Sequence, residues 1–270
     1  MNLDLIKKKL VAIQTTNQKS DRLWKPKPGK TVIRILPYQY NKEYPFVEML
    51  FHYGMGKKSY LSPSTYGKPD PVVEFSDKLK KSGNTDDWKL GKKMEPKLRI
   101  YAPVLVRGEE KDGVKFWGFG KQIYQEILSF IDDADYGDIT DLKSGRDLVV
   151  EFLEPKDAGN TFGKVSIRVK PNTSIVTDEK EVLEAVTKGQ VDLKTLFPEI
   201  GYDELSDVLK NWLNPESTEN AEAASTTTST DTNEAPAKSA APSKAKAESK
   251  SKAATSVTDV DEAFDELFKD

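Results

Sequence analysis

Cysteine is absent from the chain, and histidine occurs once, as His52. Without thiols there is no disulfide framework and no thiolate zinc site. With one imidazole there is no Ser-His-Asp triad, no Cys-His pair and no multi-histidine metal centre. Phosphate-loop signatures are missing as well: no Gly-Lys pair carries the full P-loop spacing. Gly118 and Gly120 lack the third glycine of a dinucleotide fingerprint, and no βαβ context surrounds them. The acidic run Asp132, Asp133, Asp135 lacks the calcium-loop pattern and reads as a solvated loop. No segment approaches the length of a membrane span, and no apolar run or small-residue cleavage site follows the first lysines. These absences argue against an enzyme, a cofactor, a metal and a membrane partner. The expectation is a soluble intracellular protein.

What is present is charge, unevenly placed. The net charge of −3 conceals a basic block from Arg22 to Lys121, with 21 Lys+Arg against 11 Asp+Glu. From Gln122 to Leu213 the balance reverses, with 10 against 19, and from Asn214 onward it is 6 against 12. A basic block beside an acidic end suggests a face for a polyanion. The stretch from Asn214 to Thr258 is Ser, Thr, Ala, Glu and Lys with almost no large apolar residue. Such a composition cannot offset chain entropy by burial, so a disordered linker is expected over 214–258.

The stretch Lys97 to Gln122 organises the rest. Leu98 to Arg107 and Val114 to Phe119 are two apolar runs around Gly108-Glu-Glu-Lys-Asp-Gly113. That pattern predicts a β-hairpin. Side chains alternate along strands, so Arg99, Tyr101, Trp117 and Phe119 are candidates for one face, with Lys97, Lys115 and Lys121 nearby. Rings that stack bases beside cations that hold phosphate make a single-stranded nucleic-acid platform. The alternative is a hairpin whose aromatics are core.

Elsewhere Leu3, Ile6, Leu10 and Ile13 recur at helical spacing beside Lys7, Lys8 and Lys9. They predict an amphipathic N-terminal helix within 1–21, able to dock on its own domain or on another copy. Thr31–Leu36, Phe46–Tyr53, Asp147–Leu153 and Val165–Val169 read as strands, and Gly54–Lys58, with Lys57 and Lys58, as a basic turn. Arg34 is the only charge in its strand and is read as solvated or aimed at phosphate. Helices are expected over Val73–Lys81, Gln122–Ile131, Asp178–Lys188 and Gly201–Leu213, with Trp88, Lys92 and Lys93 in a basic loop. The fold class is therefore mainly β with added helices (α+β): an oligonucleotide-binding (OB) barrel core over 22–213. A small subdomain would occupy 54–93.

In order along the chain, Trp24-Lys25, Thr31-Val-Ile-Arg34-Ile-Leu-Pro37, Pro45-Phe46, Phe51–Lys58, Ser64-Thr-Tyr-Gly67, Asn84-Thr-Asp86, Lys92-Lys93, Tyr101-Ala102, Phe119-Gly-Lys121 and Gly159–Phe162 with Ser166 form a series. The series resembles the gene 32 family, the helix-destabilising single-stranded DNA-binding proteins of T-even-type phages. The resemblance implies cooperative binding of single-stranded DNA in replication, recombination and repair, in the cytoplasm of an infected bacterium. It implies that the N-terminal segment joins neighbouring copies. It also implies that the acidic tail recruits replication and recombination proteins. Carried over by position, Arg34, Tyr60, Lys92, Lys93, Tyr101, Trp117 and Phe162 become strand contacts, with Trp88 a looser match. The tail 259–270 holds Asp261, Glu262, Asp265 and Glu266, with Phe264, Leu267 and Phe268 at helical spacing for a partner. Other readings of the same residues are a single-stranded RNA-binding regulator and a protein-only replication scaffold.

The family's best-studied members hold zinc with one histidine and three cysteines. Here His52 falls at or beside the histidine position, while Leu61, Pro71 and Val73 occupy the neighbourhood of the missing thiols. The subdomain is expected to cohere by apolar contacts of Tyr66, Val72, Val73 and Phe75. A chelator should then leave both the melting temperature and oligonucleotide binding unchanged, because one imidazole cannot hold a structural ion. Stoichiometric zinc in the purified protein would contradict this.

Overall fold

The computed structural model describes residues 21–56, 58–159 and 161–214. The N-terminal helix with Lys7, Lys8 and Lys9, Lys57, the linker and the tail from Asp261 to Phe268 lie outside the described residues. The described chain is α+β and divides into two units. No described helix is long and apolar enough to cross a membrane.

The larger unit, drawn among the described residues from 21–51, Tyr60–Lys68 and Pro96–Ile200, is built on an eight-stranded mixed sheet. Its strands are β1 (Leu23–Trp24), β2 (Gly29–Ile35), β3 (Val47–His52), β4 (Tyr60–Leu61), β5 (Lys97–Val106), β6 (Lys115–Phe119), β7 (Arg146–Leu153) and β8 (Lys164–Thr173). They run in the order β1-β6-β5-β2-β7-β8, with β3 on β5 and β4 on β3. No described pair joins the two ends of this path, so the sheet is open rather than a closed ring of hydrogen bonds.

The long strand β5 sets the architecture. One edge pairs residues 97–101 with β3 and then residues 104–106 with β2, while residues 100–104 pair with β6 on the other edge. Pro103 falls between the β3 and β2 ladders, where its missing N–H breaks neither. Its carbonyl accepts from Leu36 N–H at 2.9 Å. The expected hairpin forms between β5 and β6, and Gly108 (φ 88°) and Gly113 (φ 76°) supply the left-handed turns at each end of its connection. Ser62 N–H donates to Leu50 O at 2.8 Å. Thr65 Oγ1 accepts from Leu50 N–H at 2.9 Å, so the Ser62–Gly67 turn satisfies the outer edge of β3.

One face of the sheet carries Ile33, Ile35, Ile100, Val104, Leu148, Val150, Ile167, Trp117 and Phe119. Helix α3 (Lys121–Asp132) covers it with Tyr124 and Ile127. The other face carries Met49, Phe51, Tyr101 and Phe116 under Leu193, Leu196 and Phe197. Tyr66 packs here too, not in the small unit where the sequence placed it.

Arg34 is fully buried, which corrects the reading of a solvated or phosphate-facing side chain. Its Nε donates to Asp147 Oδ1 at 3.0 Å, Nη1 to Asp141 O at 3.2 Å, and Nη2 to Ser174 O at 3.0 Å and Ser174 Oγ at 2.6 Å. Arg107 Nη2 donates to the same Asp147 Oδ1 at 2.9 Å. Burial pulls the Arg34 guanidinium below its ordinary value, and the Asp147 charge opposes that shift.

Among the described residues the smaller unit comprises His52–Ser59, Pro69–Glu95 and 201–214. After α4 (Pro155–Ala158), α5 (Lys180–Lys188) and α6 (Leu193–Leu196) of the larger unit comes α7 (Tyr202–Leu213); helix α1 (Pro71–Lys81) packs on α2 (Thr85–Met94) and on α7, with Val72, Phe75, Leu79, Leu205 and Leu209 buried. Helix α2 replaces the expected basic loop. Asn84 caps it by accepting from Asp86 N–H, acids lie in its first turn and Lys92 and Lys93 in its last, all favoured by the helix dipole. Gly91 allows the close crossing: a Cβ there would lie 2.7 Å from Ser76 O. The buried His52 ring sits between Met94 O at 3.2 Å and Asp70 Oδ2 at 2.9 Å. Asp70 Oδ1 also accepts from Val72 and Val73 N–H, capping α1 ahead of Pro71.

Replacing Asp147 with Ala should cost about 3–5 kcal/mol in urea unfolding, because it strands the buried Arg34 charge. The double replacement Arg34→Met with Asp147→Leu should recover much of that loss. A single replacement as mild as a surface change would refute the role given to this pair.

Candidate nucleic-acid interface

The register of β5 against β6 separates residues that the sequence placed on one face. Trp117 lies opposite Ala102 and Phe119 opposite Ile100, whereas Tyr101 lies opposite Gly118. Trp117 and Phe119 therefore point into the core beneath α3, and Tyr101 points to the other face. Trp117 is 1 % exposed, Phe119 3 % and Tyr101 9 %. Their rings are occupied by protein: Trp117 meets Trp24 at 5.6 Å and Phe119 at 4.7 Å, and Tyr101 meets Phe197 at 4.9 Å between ring centroids. The proposal that these three rings stack on bases is corrected accordingly. Gly118 has a packing reason, since a Cβ there would lie 2.6 Å from Tyr101 Cε1.

Two of the other candidates are brought together. Arg99 is exposed near the start of β5, and Lys121 opens α3 directly after β6. A Cβ built on Gly120 would stand 3.9 Å from Arg99 Nη1, so the guanidinium borders the Gly120–Lys121 turn. Gly120 has no side chain to cap α3, and no acidic residue lies in its first turn. The first N–H groups of a twelve-residue helix thus stand beside an arginine and a lysine. Helix N-termini of this kind favour anions, and the added cations suit a phosphate.

Phe162 stands 90 % exposed in the loop joining β7 to β8. Gly159 (φ 66°) and Gly163 (φ 73°) shape that loop, and a Cβ on Gly163 would meet Leu153 O at 2.5 Å. Tyr60 is half-buried in the short edge strand β4.

In the smaller unit Trp88 is 48 % exposed on α2. It lines a surface recess of about 310 Å³ with Lys80, Gly83, Asn84 and Thr85, roomy enough for one base. Lys58, Lys92 and Lys93 are exposed in this unit. Lys92 is engaged with Glu95 at 2.9 Å, and Lys80 with the same carboxylate at 2.9 Å. Hydrogen bonds from Lys92 first and Lys80 next hold the Glu95 carboxyl down at about 2. A phosphate reaching Lys92 therefore competes with a local carboxylate.

The sequence reading did not single out the uncapped start of α3, because backbone amides carry no residue signature. The Phe119-Gly-Lys121 string was its only trace. A family model described as "gp32 DNA binding protein like" matches residues 27–214. No curated protein matches the chain.

Phe162→Ala and Trp88→Ala should each weaken single-strand binding by about 1–3 kcal/mol with an unchanged thermal transition, as expected of exposed stacking rings. Trp117→Ala should instead lower stability by about 3–5 kcal/mol, as a core cavity does. Thermal melts run beside the titrations decide. Loss of binding by a Trp117 variant of parental stability would reverse the assignment.

Proposed function

Because the chain belongs to the family of gp32-like DNA-binding proteins, we propose that it binds single-stranded DNA without strong sequence preference and without catalysis. The strand's phosphates would settle at the Arg99–Gly120–Lys121 turn and its bases on the exposed ring of Phe162; Trp88 is a stacking ring of the smaller unit by itself. The uncapped start of α3 beside Arg99 is the observation that carries this reading. Phosphate contacts and stacking are both blind to base identity, which accounts for the sequence tolerance. In this reading the protein coats strands during phage DNA replication, recombination and repair in the infected cell. Segment 1–21, with Lys7, Lys8 and Lys9, joins neighbouring copies. The acidic end recruits replication proteins.

Binding should fall steeply with salt. If about three to five phosphates are neutralised, the log–log slope is roughly −2 to −4 for a single strand. Trp88 fluorescence during titration with a homopolymer reads it, and a flat response would remove the phosphate half of the model. Matched RNA oligonucleotides should bind no better than DNA, since no contact invoked here reads a 2′-hydroxyl. Deleting residues 1–16 should weaken coating of a long polymer more than binding to a short oligonucleotide. Equal losses would assign that segment to its own core instead.

A further inference from the structure

Along β8 the chain alternates between core and solvent without a break. Val165, Ile167 and Val169 turn inward, while Lys164, Ser166 and Arg168 are exposed. Lys170 follows on the same outer side, with 44 % of its side chain exposed. Three of four successive outward positions are therefore cationic, and the fourth is a hydroxyl. Successive outward positions on a strand lie roughly 7 Å apart. The result is a straight row of donors on one strand.

The row is accessible. β8 stands at the end of the strand order and pairs with β7 alone among the described strands. Lys164 and Arg168 have no ion-pair partner among the described residues. Lys170 Nζ stands 3.9 Å from Asp147, a carboxylate that Arg34 and Arg107 already share. One exposed acid faces the row from β7. Glu151 pairs with Ser166, and its carboxylate is 3.8 Å from Lys30.

Cations on an edge strand also deter pairing with another sheet edge. That role explains charge on β8 but not what stands at its head. Phe162, 90 % exposed, precedes Lys164 by two residues in the β7–β8 connection. A ring offered to a base, followed by evenly spaced cations and a hydroxyl, is the pairing that a single strand needs. A duplex keeps its bases paired and has none to lay on the ring.

We propose that the outer side of β8 is a second phosphate track for single-stranded DNA. Lys164, Arg168 and Lys170 are its charged rungs, Ser166 Oγ donates between them, and Phe162 stacks the base at the head. The track rests on the reading of the ligand as single-stranded DNA. It does not rest on the Arg99–Gly120–Lys121 turn, with which it shares no residue.

Anisotropy of a labelled oligothymidylate, titrated with the full-length chain over a range of salt, tests this. Lys164→Ala with Arg168→Ala should flatten the log–log salt slope by about 1.4, two contacts at ~0.7 each. Lys180→Ala with Lys188→Ala removes the same charge from exposed positions of α5 and should leave the slope unchanged. Both variants should keep the parental melt. Glu151→Gln should tighten binding at low salt, because it removes the acid that faces the track. A Lys164/Arg168 variant with the parental slope would overturn the track, as would equal flattening by the two double variants. So would an equal loss on a blunt duplex, or Glu151→Gln without tighter binding. Arg99→Ala with Lys121→Ala keeps the two sites apart. If only that variant weakens binding, the turn stands and the track falls. If the parental chain binds no strand, the reading of the ligand falls and the track with it.

Discussion

One carboxylate, Asp147, holds two guanidinium groups that the fold has taken out of water. Arg34 has no exposed surface, and Arg107 keeps only 21 % of its side chain exposed. A guanidinium presents five N–H donors, and burying it is tolerable only if nearly all are met. Here they are met by Asp147 and by the carbonyls of Asp141, Ser174, Ile175 and Val176. Those acceptors lie in segments far apart in sequence. The network therefore ties β2, β5 and β7 to the turns that flank β7 and β8. It also takes Arg34 out of the pool of cations available to a polyanion, which moves any strand contact to the surface.

The elements were legible where local chemistry decides them. Glycine at both ends of a polar hexapeptide marked the β5–β6 connection, and apolar spacing marked α3 and α7. Register was not legible. Tyr101 and Trp117 both sit at alternating positions of β-rich runs, and nothing in either run says which residue meets which. A shift of one residue exchanges the two faces of a strand. Register put Tyr101 on one face and Trp117 and Phe119 on the other, and the cover on both faces, neither of which the hairpin sequence shows, buried all three rings. Gly118 held the missing information, because it lies where the Tyr101 ring crosses β6, but a lone glycine in a strand does not name the ring that needs its space.

The small unit is drawn together around one buried carboxylate. A structural zinc fixes several chain segments at one point and offsets the lack of a core. In this chain Asp70 does part of that work with two oxygens, one capping α1 and one bonding His52. His52 passes the connection on to the Met94 carbonyl at the end of α2. Three buried rows from α1, α2 and α7 supply the rest through Phe75, Leu79, Met94, Leu205 and Leu209. The histidine was visible in the sequence, but its carboxylate partner was not. An Asp before Pro reads as a helix cap, and a cap leaves its second oxygen unassigned.

The case for the proposed strand site follows from comparing helix starts. Among the described helices of eight residues or more, α1 has the Asp70 cap and Glu74, and α2 has the Asn84 cap with Asp86 and Asp87. The helix Lys180–Lys188 has Glu181 in its first turn, and α7 has Asp203 and Glu204. Each brings its own negative charge to the positive end of the dipole. Helix α3 brings none, and begins instead with Gly120 and Lys121 next to Arg99. A helix end left in that state costs stability unless water or an anion meets it. The other helices could have been written the same way and were not. The exception sits at the string Phe119-Gly-Lys121, where a glycine lets the backbone come close and the following lysine adds charge. A cation count over the sequence finds the basic block but ranks its lysines equally. Only the structure separates a lysine bound to its own glutamate, as Lys92 is, from one at the start of a helix that has no side-chain cap, as Lys121 is.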